Sequence, residues 1–147
     1  FNTFIKNIEL EDDAIETLKQ IGTVNFFSST IINYISENEH IPIFCSCMKN
    51  GKRYQIYNGE KWEFKTPDAI TTKVTTTIYL KLMKTLKIWE NDNPNFLTNM
   101  ELRDKWTEII NFLRMSIKFE TDAEKVKNKK INNKIYTAIY NIHKDNY

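Results

Sequence analysis

Residues 41–64 combine extended hydrophobic runs with two Asn-Gly pairs, Asn50-Gly51 and Asn58-Gly59. Asn-Gly between such runs is typical of a β-hairpin turn, because both residues tolerate the positive φ angles that tight turns need. The segment therefore predicts a three-stranded antiparallel meander. The residues that follow, Thr66-Pro67-Asp68, are typical of a helix start, with a threonine cap, a proline in the first turn and an acidic side chain near the positive end of the helix dipole.

The second Asn-Gly turn allows two registers. A two-residue type I′ loop at Asn58-Gly59 places Trp62 on the face opposite Tyr54. A three-residue loop with a left-handed bulge at its glycine instead pairs Tyr54 with Trp62. Because the buried face sets the register, we predict the bulged turn. This turn places four side chains together on one buried face: Tyr54, Ile56, Trp62 and Phe64.

The first Asn-Gly turn leaves two alternatives open. A type I′ loop places the odd-numbered residues from Ile43 to Cys47 on the face of Tyr54, whereas a bulged loop places the even-numbered residues from Phe44 to Met48 there. This strand is apolar on both faces, so its pattern does not choose between the two loops. A strand of this kind is compatible with cover on both sides.

Helical spacing of apolar residues predicts two helices before the meander, at about residues 9–21 and 25–36, and three after it, at about 67–91, 99–118 and 122–144. Gly22 is expected to end the first helix, and Thr66 to cap the third. Thr98-x-x-Glu101 and Thr121-x-x-Glu124 have the capping-box pattern that begins a helix. Trp89 and Trp106 lie on apolar helix faces, so we expect both in the core.

This order of elements predicts an α+β fold. A length of 147 residues is within the range of one domain, and we expect a single domain over residues 1–147. Its parts are a helical N-terminal part (1–40), the β-meander (41–64) and a helical part (65–147). The first residue is Phe1 rather than Met, which indicates a processed form or a fragment of a longer chain.

Several function classes are disfavoured by what the sequence lacks. No hydrophobic run approaches the roughly 20 residues that span a bilayer, and no secretory leader pattern is present. Two cysteines and no N-x-Ser/Thr acceptor indicate an intracellular, reducing compartment. No phosphate-binding glycine loop or common catalytic motif occurs, so we expect no enzyme, no cofactor, no membrane contact and no small-molecule substrate.

Cys45-x-Cys47 is the sharpest chemical candidate, because alternation places both thiols on one strand face and His40 lies nearby. These three residues are candidate zinc ligands. A structural zinc site usually takes four ligands in wider spacing, and buried thiols in a reducing compartment account for the same pattern. The acidic run Glu9 to Glu16 is a further candidate for acid–base chemistry, and the dipole of a helix start also explains it.

Positive charge is concentrated after residue 40. Residues 1–40 carry two Lys against seven acidic residues, and residues 41–147 carry nineteen basic against twelve acidic residues. One basic cluster lies on the meander and another, interleaved with asparagines, on the last helix. The candidate nucleic-acid contacts are Lys49, Lys52, Arg53, Lys125, Lys127, Lys129, Lys130 and Lys134. A solvated helix face is the commoner cause of such a run.

The meander also resembles a known family. Its matching residues are Ile41-Pro42-Ile43, Tyr54-Gln55-Ile56-Tyr57, Asn58-Gly59-Glu60-Lys61-Trp62, and Asp68 with the helix that it begins. With these residues the chain resembles, over roughly residues 1–90, a module of unassigned function that recurs near the C-termini of proteins of giant viruses, the nucleocytoplasmic large DNA viruses. The tail after Asn95 departs from that module, which has no agreed catalytic residues to transfer.

The resemblance implies a DNA-virus protein that acts in virion or viral-factory assembly, or that is attached to a DNA-linked partner domain. Its location would then be the host cytoplasm, the viral factory or the virion. From the residues and the resemblance together we expect a non-catalytic protein–protein interaction or assembly module, with another protein or a second copy as partner. The alternative is a nucleic-acid-binding accessory domain that uses the hairpin and C-terminal lysines.

Overall fold

The computed structural model describes the backbone of residues 1–49, 51–115 and 122–144 and, within these, every side chain except those at 47, 48, 112–115 and 122–124. The described part confirms the α+β class, with a three-stranded antiparallel sheet in the order β1-β2-β3 between two groups of helices. The elements are α1 (Asn2–Lys6), α2 (Ala14–Ile21), α3 (Thr23–Ser36), β1 (Ile43–Met48), β2 (Gly51–Tyr57), β3 (Trp62–Lys65), α4 (Pro67–Asp92), α5 (Met100–Met115) and α6 (Asp122–His143).

The N-terminal part differs from the prediction in two respects. Helix α2 begins at Ala14, five residues later than expected, and the unexpected helix α1 precedes it. A helix of five residues is unstable in isolation, so α1 depends on tertiary packing. Ile5 of α1 and the flanking residues Phe1 and Ile8 are all buried. Gly22 ends α2 as predicted, with a φ of +82° that few other residues adopt.

The first hairpin selects one of the two open alternatives for the buried face. Ile43 pairs with Ile56 and Cys45 pairs with Tyr54, and all four side chains are at least 96% buried. This is the face that a type I′ loop would bury. The opposite face of β1 is also covered, because the Phe44 ring lies 4.3 Å from the His143 ring and 5.2 Å from the Trp62 ring, centroid to centroid.

The predicted register of the second hairpin is wrong. Tyr57 pairs with Trp62 and Tyr54 with Lys65, so the turn has its tip at Gly59-Glu60. The Asn58 side chain explains the difference, because its Oδ1 accepts hydrogen bonds from the Glu60 N–H at 2.8 Å and the Lys61 N–H at 3.0 Å. This Asx turn replaces the predicted bulge. Gly59 does adopt a positive φ, +104°.

The corrected register moves two aromatic side chains out of the predicted core. Trp62 and Phe64 face away from Tyr54 and Ile56, and they are 47% and 55% exposed. We call the side of the sheet with Tyr54 the inner face and the side with Trp62 the outer face. The prediction that Trp62 belongs to the core is therefore wrong.

The cap of α4 is confirmed, since the Thr66 hydroxyl accepts a hydrogen bond from the Ala69 N–H at 3.2 Å. The predicted cap of α5 is wrong. Asn99 performs that role, with its Oδ1 accepting from the Leu102 N–H at 3.2 Å, while the Thr98 hydroxyl donates to the Asn95 carbonyl. An amide oxygen caps as well as a hydroxyl, and Asn99 lies one residue nearer the helix. The Thr121 capping box lies partly outside the described residues.

One long helix, α6, joins the parts of the core. It packs against α3, α4 and β1, and its buried residues include Ile131, Ile135 and Ile139. Trp89 and Trp106 are partly buried beside this core, on either side of the Phe96 ring, and the Trp106 indole donates to the Glu90 carboxylate at 2.9 Å. Among the described helices, none is long and apolar enough to cross a membrane.

Candidate binding surfaces

The three candidate zinc ligands have different environments. The Cys45 thiol is buried on the inner face and donates a hydrogen bond to the Tyr136 carbonyl at 3.3 Å. His40 is exposed in the segment before β1, and the side chain of Cys47 lies outside the described residues. Hydrogen bonding to a backbone carbonyl in a hydrophobic core is the environment of a structural thiol rather than of a metal ligand.

The acidic run is divided by the late start of α2. Glu9, Glu11 and Asp13 line a hollow of about 260 Å³ between the segment before α2 and helix α3, whereas Glu16 lies within the helix. In the described parts of the chain, no three His, Cys, Asp or Glu side chains are grouped so that they could hold a metal ion. The dipole of α2 accounts for Asp13 at the N-cap and Glu16 in the first turn, and not for Glu9 and Glu11.

The predicted basic residues of α6 are separated into two rows. With 3.6 residues per turn, Lys125 and Lys129 share one side of the helix, and Lys127, Lys130 and Lys134 lie toward the other. All five side chains are exposed. In the second row, the Lys134 ammonium donates to the Asn25 side chain of α3 at 2.9 Å.

The first row meets a lysine of the meander. Lys52 of β2 holds its ammonium 4.9 Å from the centre of the Tyr136 ring, on the same side of α6 as Lys125 and Lys129. These lysines line one groove of about 530 Å³. We call it the basic groove and define it by Lys52, Asp68, Lys125, Asn128, Lys129 and Asn132. The other two meander candidates are outside it: Lys49 is exposed at the first turn, and Arg53 lies on the outer face.

Two groove residues fix the start of α4 against α6. The Asn132 Nδ2 donates to the Asp68 carboxylate at 2.5 Å. The sequence pattern indicated the interleaved asparagines of α6, but it missed Asp68. No local signal could have found it, because the two partners are 64 residues apart.

A second surface lies on the outer face of the sheet. Phe44, Tyr57 and Trp62 are in ring contact, with 5.2 Å between the first and third rings and 5.6 Å between the second and third. Phe64 continues the row along β3. We call these four residues the outer aromatic surface. It borders a cleft of about 630 Å³ that is also lined by Pro42 and the end of α6.

One buried polar group in the lining of this cleft belongs to His143. Its Nε2 is inaccessible to solvent and has no hydrogen-bond partner among the described residues. Burial lowers the pKa of the His143 imidazole below its usual range, because the charged form loses solvation. The ring is therefore neutral at pH 7 and adds an uncharged aromatic plane beside Phe44.

Comparisons of the chain with protein-family models, with curated proteins and with solved structures found no match.

Proposed function

We propose that this domain binds another protein through the outer aromatic surface and performs no catalysis. The observation that supports the proposal is the exposure of three neighbouring aromatic side chains on one sheet face: Tyr57 at 38%, Trp62 at 47% and Phe64 at 55%. Tryptophan and tyrosine are the residues that most often dominate the binding energy of protein interfaces. Their neighbouring positions on rigid strands keep the entropy cost of ordering them low.

Other exposed hydrophobic residues differ from this surface in their arrangement. Leu80 and Ile88, for example, are about as exposed as Phe64 but are isolated on α4. Single exposed apolar side chains are normal on a protein surface, whereas a contiguous apolar patch marks an interaction site. The contact between the rings of Tyr57, Trp62 and Phe44 makes the outer aromatic surface such a patch.

The edge strand β3 has features that oppose the pairing of another strand with its backbone. It has only four residues, Trp62–Lys65, and Lys61 lies directly before it. Short edge strands with lysines at their ends resist the addition of another strand. We therefore place the partner on the face of the aromatic side chains rather than on the backbone edge of β3.

The biological setting proposed for this binding is assembly in a large DNA virus. Its support is the resemblance of roughly residues 1–90 to the giant-virus module. Two residues that carry the resemblance, Tyr57 and Trp62, belong to the outer aromatic surface. In that setting the partner is another virion or factory protein, or a second copy of this chain.

A pull-down from lysate of the native source tests the proposal, with light scattering to detect self-association. The test variant is Trp62→Ser with Phe64→Ser, and the matched control is Leu80→Ser with Ile88→Ser, which removes two side chains of slightly higher exposure elsewhere. We expect the wild-type protein and the control to retain the same partner or dimer and the test variant to lose it. Equal retention by both variants, or a folded wild-type protein with neither partner nor dimer, contradicts the proposal.

A further inference from the structure

We propose that the basic groove binds a nucleotide unit, with lysines contacting the phosphate and asparagine side chains reading a base that carries an amino group. The groove lies between β2, the first turn of α4 and one side of α6, apart from the outer aromatic surface. Binding at the basic groove is therefore independent of the proposed protein partner. For nucleic-acid binding, the basic groove is a defined site.

The charge of the groove favours an anion. Lys52, Lys125 and Lys129 contribute three positive charges, and Asp68 contributes one negative charge. Within the described residues, no carboxylate lies within ion-pair distance of these three ammonium groups. Phosphate contacts from lysine are the main source of affinity for nucleic acids, and neighbouring lysines strengthen them.

The floor of the groove has a second and different feature, which is a pair of buried amide oxygens without hydrogen-bond partners. Asn132 is only 8% exposed, and its Oδ1 has no hydrogen-bond partner in the described structure. Its Nδ2 donates to Asp68, which fixes the oxygen as the free acceptor. The Oδ1 of Asn128 is likewise inaccessible and unpaired. A buried acceptor without a donor is unfavourable, so a ligand that donates to these oxygens, once the two side chains turn toward the groove, relieves that cost.

Together the two signals define the chemistry of the ligand. An ionised carboxylate, such as an acidic peptide side chain, satisfies the lysines but donates nothing to the amide oxygens, and inorganic phosphate has only its P–OH groups to donate. A nucleotide does both when its base is adenine, cytosine or guanine, because an exocyclic amino group has two donor hydrogens for the two amide oxygens, whereas thymine and uracil have only the single N3–H donor. Lys125, Asn128, Lys129 and Asn132 follow the i, i+3, i+4, i+7 spacing of one helix stripe, so one ligand can contact all four.

The size of the groove agrees with such a ligand. A volume of about 530 Å³ falls within the range of small-molecule sites, roughly 300–1,000 Å³. A free nucleotide and one unit of a single strand share this chemistry. The experiment must therefore distinguish a free nucleotide from a single-stranded nucleic acid as the ligand.

Titration by fluorescence anisotropy at low salt tests the inference, with labelled oligomers of dA, dC and dT and with unlabelled AMP and inorganic phosphate as competitors. We expect dA or dC oligomers to bind about tenfold more tightly than dT oligomers. Competition by AMP but not by phosphate would assign the site to a nucleotide. If affinity for the oligomer falls steeply as the salt concentration rises, the ligand is a single strand rather than a free nucleotide. Absence of binding by every probe overturns the inference.

Matched variants of α6 show whether the groove itself is responsible. Lys125→Ala with Lys129→Ala is expected to reduce the salt slope by about two, about one for each lost lysine. Lys127→Ala with Lys130→Ala removes the same charge from the other row and should leave the slope unchanged. Asn128→Ala should keep affinity for dT and lose the preference for dA or dC. Equal effects of the two lysine pairs, or equal affinity of the wild-type protein for all three oligomers, overturns the inference.

Discussion

The inner and outer faces of the meander are made by the same three strands, and both are rich in aromatic and apolar residues. On the inner face, Tyr54 and Ile56 are at least 96% buried under α4 and α6. On the outer face, Trp62 and Phe64 are about half exposed. The difference comes from the helices and not from the strands, because the described helices cover the outer face only near Phe44. Aromatic content alone therefore does not identify the buried side of a small sheet.

The largest expected change in stability comes from truncating one aromatic side chain on each face in turn. Tyr54→Ala should lower the free energy of unfolding by about 3–5 kcal/mol, because a fully buried aromatic ring leaves a cavity. Trp62→Ala should lower the free energy of unfolding by only about 1 kcal/mol, because the Trp62 ring is half exposed and stabilises the fold only through contacts with neighbouring rings. Urea unfolding at pH 7 measures both values. Similar costs for the two variants would show that the outer face is also core.

The turn between β2 and β3 sets the register that separates the two faces. Gly59 has a φ of +104°, where an L side chain is strained although no atom lies within 4 Å of an added Cβ. Gly59→Ala should therefore cost roughly 1–3 kcal/mol from the backbone alone. Glu60→Ala, the neighbouring change in the same exposed turn, is the control and should stay within about 0.5 kcal/mol. The two are compared by urea unfolding, and equal costs would contradict the described turn.

The order of elements could be predicted because its signals are local. The Thr66 cap, the Gly22 stop and the turn glycines act within four residues of the structure that they specify. The register of the second hairpin could not be predicted in the same way. There the Asn58 side chain accepts hydrogen bonds from the Glu60 and Lys61 N–H groups, and both this turn and the predicted bulged turn fit the same Asn-Gly pair.

The candidate surfaces were predictable in their composition but not in their arrangement. The lysines of the meander and of α6 were identified as two clusters, but the rotation of α6 decides that Lys125 and Lys129 meet Lys52 and that Lys127 does not. That rotation is fixed by contacts distant in sequence, such as the Asn132–Asp68 hydrogen bond. The outer aromatic surface was missed because the wrong register placed Trp62 in the core.

High pH should act mainly on the inner face. Burial raises the pKa of the Tyr54 hydroxyl well above its ordinary value of 10, with smaller contributions from Cys45 and Tyr136. Above about pH 10 the unfolded state therefore releases a proton that the folded state keeps. Stability must then fall as pH rises, by at most about 1.4 kcal/mol per pH unit from this group.

Tyr54→Phe separates this effect from the other titrations. The Tyr54 hydroxyl has no hydrogen-bond partner in the described structure, so the variant should be as stable as the wild-type protein at pH 7, or more so. It should lose less stability between pH 9 and about 11 than the wild-type protein does. Part of the decline should remain, because burial also raises the pKa of Tyr34. Parallel pH profiles of the two proteins would contradict a buried, unpaired Tyr54.

Low pH should reduce stability through His143 on the outer face, and by less than high pH does through Tyr54. Burial lowers the pKa of His143 below its ordinary value of 6.5, so below that pH the unfolded state takes up a proton that the folded state resists. The unfolded state then binds more protons, and stability falls as the pH decreases from 6.5.

Glu39 and His40 line the same cleft as His143. They are unchanged in His143→Phe, which keeps a ring beside Phe44 but cannot be protonated. This variant should lose less stability than the wild-type protein between pH 7 and about 5 in urea unfolding. If the two profiles coincide, the imidazole is not buried against Phe44, and the boundary between the covered and exposed parts of the outer face lies elsewhere.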